Sequence, residues 1–213
     1  MTRNRSASAG ALAALAIVAI LTDASAAPEV VHAVLSHDGG QGLSPKVLAR
    51  ALDAVDAARA RGVSGRDGLL TVIDYSLPST KPRLWVLDLS QGRVLFRELV
   101  AHGRGSGDNY ATRFSNLPDS HQSSLGLFLT GGTYTGGNGY SLKLRGLESG
   151  VNDLAESRYI VMHGAWYVSS GQARAHGRIG RSWGCPALPQ ESARPVIDTI
   201  KDGSFLFVYG KRP

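Results

Sequence analysis

The feature that most constrains the fold is a series of seven short apolar segments between residues 69 and 209. They are rich in Val, Leu, Ile, Phe and Trp, and loops rich in Gly, Ser and Asn separate them, which is typical of β-strands. Ser90-Gln91-Gly92 is a turn-like break and predicts a hairpin. The segments are Leu69–Tyr75, Arg83–Leu89, Arg93–Ala101, Leu125–Thr130, Tyr140–Arg145, Tyr159–His163 and Ser204–Tyr209. They predict a mostly β domain, built as an antiparallel β-sandwich or open barrel.

One or two peripheral helices accompany these strands. Ser44-Pro45 followed by an apolar stripe predicts an amphipathic helix from Pro45 to Arg61. A second helix is predicted over Glu191–Lys201, where Pro195 weakens the first half. The Gly- and Ser-containing stretch 62–68 is the linker. We therefore expect an N-terminal helical segment and linker over residues 27–65 and the β-rich domain over 66–213.

The N-terminus has the pattern of an export signal. Arg3 and Arg5 precede an apolar run from Ala11 to Leu21, and Ala24-Ser25-Ala26 supplies the small residues of a cleavage site. The run is shorter than the ~20 residues that span a bilayer. Residues 1–26 are predicted to be a signal peptide, with an uncleaved N-terminal anchor as the alternative. The mature protein is expected to be secreted, periplasmic or associated with the cell wall, without stable insertion in a membrane.

Composition narrows the classes of function. The chain carries 23 Lys and Arg against 17 Asp and Glu, a net charge of +6, which favours a polyanionic environment without naming one. Nucleic acid is disfavoured because the chain is predicted to be exported and its basic residues are not interleaved with aromatics. One cysteine and six scattered histidines predict neither a metal site nor a disulfide framework. No cofactor is expected.

The single cysteine, Cys185, has two interpretations: a buried small hydrophobe or a nucleophile. Export favours the nucleophile, because an unpaired thiol outside the cytosol suggests a function. An unperturbed thiol titrates near ~8.5, so it needs a base or a cation nearby. His163 ends an apolar strand and can supply that base if the strand end meets the cysteine loop. The N–H groups around Gly184 and Cys185 are candidate oxyanion donors.

Two blocks of residues resemble a known family. His163-Gly164, followed by Gly180-Arg181-Ser182-Trp183-Gly184-Cys185, resembles the signature of the YkuD-type murein L,D-transpeptidase catalytic domain. Ser123-Ser124-Leu125-Gly126-Leu127-Phe128 resembles the upstream strand of that family, and the likeness covers roughly residues 69–209. Trp183 stands where most members carry a second histidine, and Pro186-Ala187-Leu188 replaces a continuation that contains Arg or Asn. The match is therefore to a divergent Gly-Arg-Ser-x-Gly-Cys-Pro branch.

The resemblance implies the L,D-transpeptidase type of β fold and a specific reaction. Cys185 would attack the carbonyl that precedes the terminal D-residue of a peptidoglycan stem tetrapeptide and form a thioester, with His163 as base. An amine acceptor would then take the acyl group. If water takes it, the protein is an L,D-carboxypeptidase. A third hypothesis is a non-catalytic cell-wall-binding module that keeps Cys185 only for packing. Stem peptides are the expected partners, and nothing specifies an oligomeric state.

Further polar residues are weaker candidates, each with a plain structural alternative. Ser182, Trp183 and Gly184 are expected to support the cysteine loop or its oxyanion donors. Arg181 could bind a stem carboxylate or be a solvated arginine, and His176 could replace the second histidine of the family or lie exposed in a loop. His102 could form a wall of the cleft or a simple turn. The remaining candidates are Gly164, which would let substrate approach, and Tyr140, which with Tyr134 and Asn138 forms either a lip over the cleft or a Gly-rich hairpin.

Overall fold

The computed structural model describes residues 27–36 and 40–211, and of residues 27–29 it describes the backbone alone. The predicted signal peptide, residues 1–26, lies outside the described residues. Within the described residues, no helix is both long and apolar enough to cross a membrane.

Eight strands form one sheet in the order β3-β2-β1-β8-β4-β5-β6-β7. Neighbours are antiparallel except for the pairs β1–β8 and β6–β7. The strands are β1 (Leu69–Asp74), β2 (Leu84–Asp88), β3 (Arg93–Glu98), β4 (Gly126–Gly136), β5 (Gly139–Gly146), β6 (Val161–Gly164), β7 (Ala187–Leu188) and β8 (Phe205–Tyr209). Beyond β3, Ala101 donates its N–H to the Ala187 carbonyl of β7 at 2.8 Å. This bridge joins the opposite edges, so the sheet nearly closes, and the predicted mostly β, barrel-like fold is confirmed.

Alternation along the strands supplies two apolar cores. Val72 of β1 belongs to an apolar cluster that includes the buried residues of the preceding helix. The next residue, Ile73, belongs to a second apolar cluster on the other side of the sheet. Both faces are therefore covered, which explains why β1 is apolar almost throughout.

Four helices lie in the described part of the chain, where the sequence predicted one or two. They are α1 (Ala27–Ser36), α2 (Pro45–Ala60), α3 (Ser170–His176) and α4 (Gln190–Ile200). The two predicted helices are α2 and α4, and α4 continues through Pro195 because its apolar face is buried. The apolar stripe of α2 packs on the sheet. The predicted domain boundary near residue 65 falls between α2 and β1 and stays a prediction.

The parallel pair β6–β7 positions the residues of interest. In its register, His163 lies opposite Ala187, two residues beyond Cys185. This register places Cys185 level with Val161, at the start of β6 and two residues before His163, so both residues lie at the β6–β7 edge of the sheet.

Candidate active site

Cys185 and His163 line one cavity of about 290 Å³ at this edge of the sheet. Both side chains are buried. The other residues of the lining come from the β4–β5 turn, the segment after β6 and the cysteine loop: Asn138, Tyr167, Arg181, Ser182 and Trp183. A larger open groove of about 630 Å³ lies elsewhere, between residues 113–117 and 150–151, and contains no cysteine or histidine. The smaller cavity therefore has the groups that acyl transfer needs.

Two serines hold the cysteine loop in place. Ser182 Oγ donates to the Cys185 carbonyl at 2.6 Å and accepts the Gly184 N–H at 3.1 Å. Ser123 Oγ donates to the Gly184 carbonyl at 3.2 Å and accepts the Gly103 N–H at 3.0 Å. Gly184 has a φ of +125°, and a Cβ there would lie 2.8 Å from Ile160 Cδ1. Glycine is required at this position both for its backbone angle and for close packing.

The same contacts distinguish the two expected oxyanion donors, because they occupy one N–H group and not the other. The Gly184 N–H is engaged by Ser182. Among the described residues, no other residue accepts the Cys185 N–H. Cys185 itself is therefore the better placed backbone donor, and Ser182 with Gly184 supports the loop.

The thiol of Cys185 lies against the backbone of the segment that leads into β6. Its Sγ is 3.5 Å from the Val161 nitrogen and 3.6 Å from the Tyr159 oxygen. Burial raises the pKa of this thiol, whereas the Val161 N–H and the Arg158 guanidinium lower it. Burial is the largest of these effects, so the resting thiol is protonated and needs a base to become a nucleophile.

His163 is suited to be that base. Its Nδ1 is 3.0 Å from the Gly164 oxygen, a contact in which the ring nitrogen must donate because the carbonyl only accepts. Nε2 then carries the lone pair. Burial lowers the pKa of His163, and the Gly164 carbonyl opposes that shift. The imidazole is therefore neutral at pH 7 and available to take a proton.

A second histidine, His102, lies in a fully buried layer behind the cysteine loop. Its backbone carbonyl accepts the Ser182 N–H at 3.0 Å, and its Nδ1 is 2.7 Å from Nη2 of Arg83. Arg83 also donates to the carbonyls of Val100 and Leu77 and lies 4.9 Å from the ring centroid of Tyr75. Burial and the Arg83 charge lower the pKa of His102 to about 3. His102 is thus a neutral structural group in this layer and does not line the cavity.

The other candidates occupy varied positions. His176 is exposed at the end of α3, outside the cavity lining. Tyr140 donates its hydroxyl to Asp198 of α4 at 2.6 Å. Gly164 faces α4, where a Cβ would lie 3.0 Å from Ala193 Cβ. Trp183, with 66% of its surface exposed, lies at the rim with its ring 4.8 Å from that of His121.

Comparison with known proteins assigns the family. A family model described as the L,D-transpeptidase catalytic domain matches residues 40–209, most of the chain. The chain belongs to the L,D-transpeptidase catalytic domain family. A search of curated proteins gives no significant match.

Solved structures from three bacteria are similar to this L,D-transpeptidase-family chain. An L,D-transpeptidase from Mycobacterium smegmatis is 15% identical with a TM-score of 0.40; the match covers 67% of this chain and 59% of that one. One from Stackebrandtia nassauensis is 16% identical with a TM-score of 0.40, and the match covers 86% and 77%. The helical cell shape determining protein Pgp2 from Campylobacter jejuni is 11% identical with a TM-score of 0.46, and the match covers 75% and 55%. The chain thus spans less than two thirds of the Mycobacterium protein.

Sequence reasoning missed three residues of this L,D-transpeptidase-family site. Tyr167 lines the cavity, and burial together with the Cys185 charge raises its pKa to about 12. Arg158 donates to the carbonyls of Ser115 and Gln122 while lowering the pKa of Cys185. For Arg83 the sequence indicates only the first residue of a strand. The one sequence signal for Arg158 is its position, a basic residue directly before the apolar segment Tyr159–His163. Among the described residues, no group of His, Cys, Asp or Glu could hold a metal ion.

Proposed function

We propose that this protein is a cysteine-dependent murein L,D-transpeptidase with Cys185 as the nucleophile and His163 as the base. The observation that carries the proposal is the shared cavity: the register of β6 with β7 brings both side chains into it, and the Gly164 carbonyl fixes the imidazole tautomer. The family match supplies the reaction class. The choice of a stem tetrapeptide as substrate rests on the family resemblance.

In the first half-reaction, Nε2 of His163 takes the thiol proton as Sγ of Cys185 attacks the carbonyl carbon before the terminal D-residue. The carbon–nitrogen bond of that amide breaks. The imidazolium then returns its proton to the departing nitrogen, so the D-amino acid leaves as a neutral amine and a thioester remains. The low pKa of His163 favours the return of the proton.

In the second half-reaction, an amine from a neighbouring stem attacks the thioester carbon. His163 accepts a proton from that amine and delivers it to the departing thiolate, which restores both starting groups. In each step, negative charge develops on the substrate oxygen. The Cys185 N–H is the proposed donor to it, since the Gly184 N–H is already bound by Ser182.

This activity also gives a role to the N-terminus. L,D-transpeptidases act on peptidoglycan, outside the cytoplasm, so residues 1–26 are proposed to be the signal that exports the chain. The positive net charge suits an anionic wall matrix.

The direct test is incubation of the purified protein with tetrapeptide muropeptides. Release of the terminal D-amino acid with a dimer joined 3→3 is the expected result. Tripeptide without dimer would assign the carboxypeptidase reaction instead. Release of neither product would overturn both.

The nucleophile and base are tested by acylation with a carbapenem, followed as a mass increase of the intact protein. Cys185→Ala is expected to abolish the adduct, and His163→Ala to slow its formation by roughly 10²- to 10⁴-fold, the usual contribution of a general base. His176→Ala, which changes an exposed histidine, is the matched control and should react at the wild-type rate. A wild-type protein that stays unlabelled but sediments with murein sacculi would favour the wall-binding module.

A further inference from the structure

Arg181 is the one charged side chain among the described residues that line the Cys185 cavity, apart from the titratable pair itself. About 29% of this side chain is exposed. It lies four residues before the cysteine, on the loop that the Ser182 N–H ties to the His102 carbonyl behind the site. Arg181 has two possible roles. Its guanidinium binds a ligand in the cavity, or its hydrogen-bond donors and charge are already used by a neighbouring group of the protein.

The contacts of Arg181 distinguish these two roles. Nη1 donates to the Gly107 carbonyl at 2.9 Å and lies 3.3 Å from Oδ1 of Asp108. Nη1 thus carries one hydrogen bond, to Gly107, and the ion pair with Asp108 falls on the same nitrogen. The N–H groups on Nε and Nη2 meet no acceptor among the described residues. A guanidinium has five N–H donors, so one complete edge of Arg181 is available.

Asp108 does not neutralise this cluster. The same Oδ1 lies 2.8 Å from Nε of Arg178, so two guanidinium groups share one carboxylate and one positive charge is left over. The Asp108 side chain is 76% exposed, and water therefore weakens its attraction for both arginines. The shared carboxylate fixes the orientation of Arg181 without cancelling its charge.

The available edge has the geometry that pairs with a carboxylate through two parallel hydrogen bonds. We propose that the Nε and Nη2 edge of Arg181 binds a carboxylate of the donor peptide, while Gly107 and Asp108 hold the opposite side of the guanidinium. The site would then select peptides that present a free carboxylate close to the bond that Cys185 attacks. This inference rests on the proposed function.

Two sources can supply that carboxylate: the terminal D-residue, or an acidic group within the stem. The experiment uses three peptides, namely the tetrapeptide acid, the same peptide with a C-terminal carboxamide, and one amidated only at the internal carboxylate. One of the two amides lacks the carboxylate that Arg181 binds. For that peptide the kcat/KM of the wild type is expected to be roughly 10- to 100-fold lower than for the acid, the range for a charge-assisted hydrogen-bond pair. The identity of that amide names the source.

Arg181→Gln is expected to lower kcat/KM for the acid by the same factor and to cause little further loss on the amide that the wild type already uses poorly. Arg178→Gln is the matched control, because it shares Asp108 but does not line the cavity, and should remain within about threefold of the wild type. Arg181→Lys keeps the charge without the planar edge, so a near-wild-type Lys variant would overturn the bidentate geometry.

Equal losses by Arg181→Gln on all three peptides would overturn carboxylate recognition. Alkylation of Cys185 by iodoacetamide, which carries no carboxylate, is the check on the thiol and should change less than twofold in Arg181→Gln. A larger change would show that Arg181 acts on the cysteine rather than on the peptide. If the wild type turns over none of the peptides, the proposed function fails; if it turns over acid and amides equally, only this inference fails.

Discussion

The two sides of the cysteine loop use polar groups in opposite ways. Behind the loop, Arg83 and His102 are fully buried, and Arg83 bonds to carbonyls and to the His102 ring. In front of it, His163 and Arg181 each have protein contacts on one side only, which leaves Nε2 of the imidazole and one edge of the guanidinium for a ligand. The buried layer, whose polar groups are bonded within the protein, fixes the loop, and the front layer has the unbonded groups to which we assign the proposed chemistry.

The two histidines make the contrast concrete. Burial lowers the pKa of both rings, but for His102 the neighbouring Arg83 charge adds to the effect. His102 must stay neutral because its Nδ1 accepts from a cation. His163 is neutral at rest yet faces a cavity, so in the proposed mechanism a proton that it takes can be passed to substrate.

The largest effect should come from breaking the rear layer at Arg83. Arg83→Met removes the donors to the buried Val100 carbonyl, to the part-buried Leu77 carbonyl and to His102 Nδ1, and each buried acceptor left unpaired costs about 1–3 kcal/mol. We expect the free energy of unfolding, measured by urea denaturation, to fall by about 3 kcal/mol or more. Arg93→Gln, which changes an exposed arginine at the long distance of 3.7 Å from Asp88, is the control and should cost less than about 0.5 kcal/mol. Equal, small losses in both variants would show that the rear layer is not structural.

The next effect is a pH dependence of stability that belongs to His102. In the folded protein its pKa is about 3, against an ordinary value of 6.5. Between these values the unfolded chain binds the proton and the folded protein does not, so the free energy of unfolding falls as the pH falls. The slope approaches about 1.4 kcal/mol per pH unit well below pH 6.5, and the loss between pH 6.5 and 5 is about 1.6 kcal/mol.

The variant His102→Asn sharpens this comparison, since its amide oxygen can take the place of Nδ1 as an acceptor for Arg83. Urea denaturation at several pH values should show a flatter dependence in this variant than in the wild type, whatever its absolute stability. His176→Asn, on the exposed end of α3, provides the reference for a histidine outside the buried layer. A slope as steep in His102→Asn as in the wild type would assign the acid sensitivity to other groups.

The sequence predicted the front of the site better than the back, for physical reasons. Alternating apolar residues predicted seven of the eight strands. A histidine at a strand end and a glycine-flanked cysteine were the pair expected to meet, and they line one cavity; their catalytic roles stay a prediction. The sequence does not predict β7, because a strand of only Ala187 and Leu188 is too short to show an alternation of apolar and polar residues. Helix α3 has no buried residue and hence no apolar stripe. Arg83 is held by backbone carbonyls from separate segments, a set of contacts that only the folded chain brings together.

The smallest effect is expected at Tyr140, which the sequence placed among the candidate substrate-binding residues. Its hydroxyl donates to Asp198, and Arg194 lies 4.0 Å from its ring centroid, so the side chain is engaged by α4 and lies outside the cavity lining. Tyr140→Phe should therefore change the rate of carbapenem acylation of Cys185 by less than twofold, whereas Tyr167→Phe, inside the cavity, should change it more. A loss above tenfold in Tyr140→Phe would mean that the β4–β5 hairpin brings this tyrosine to the ligand. The hairpin would then belong to the front of the site, together with His163 and Arg181.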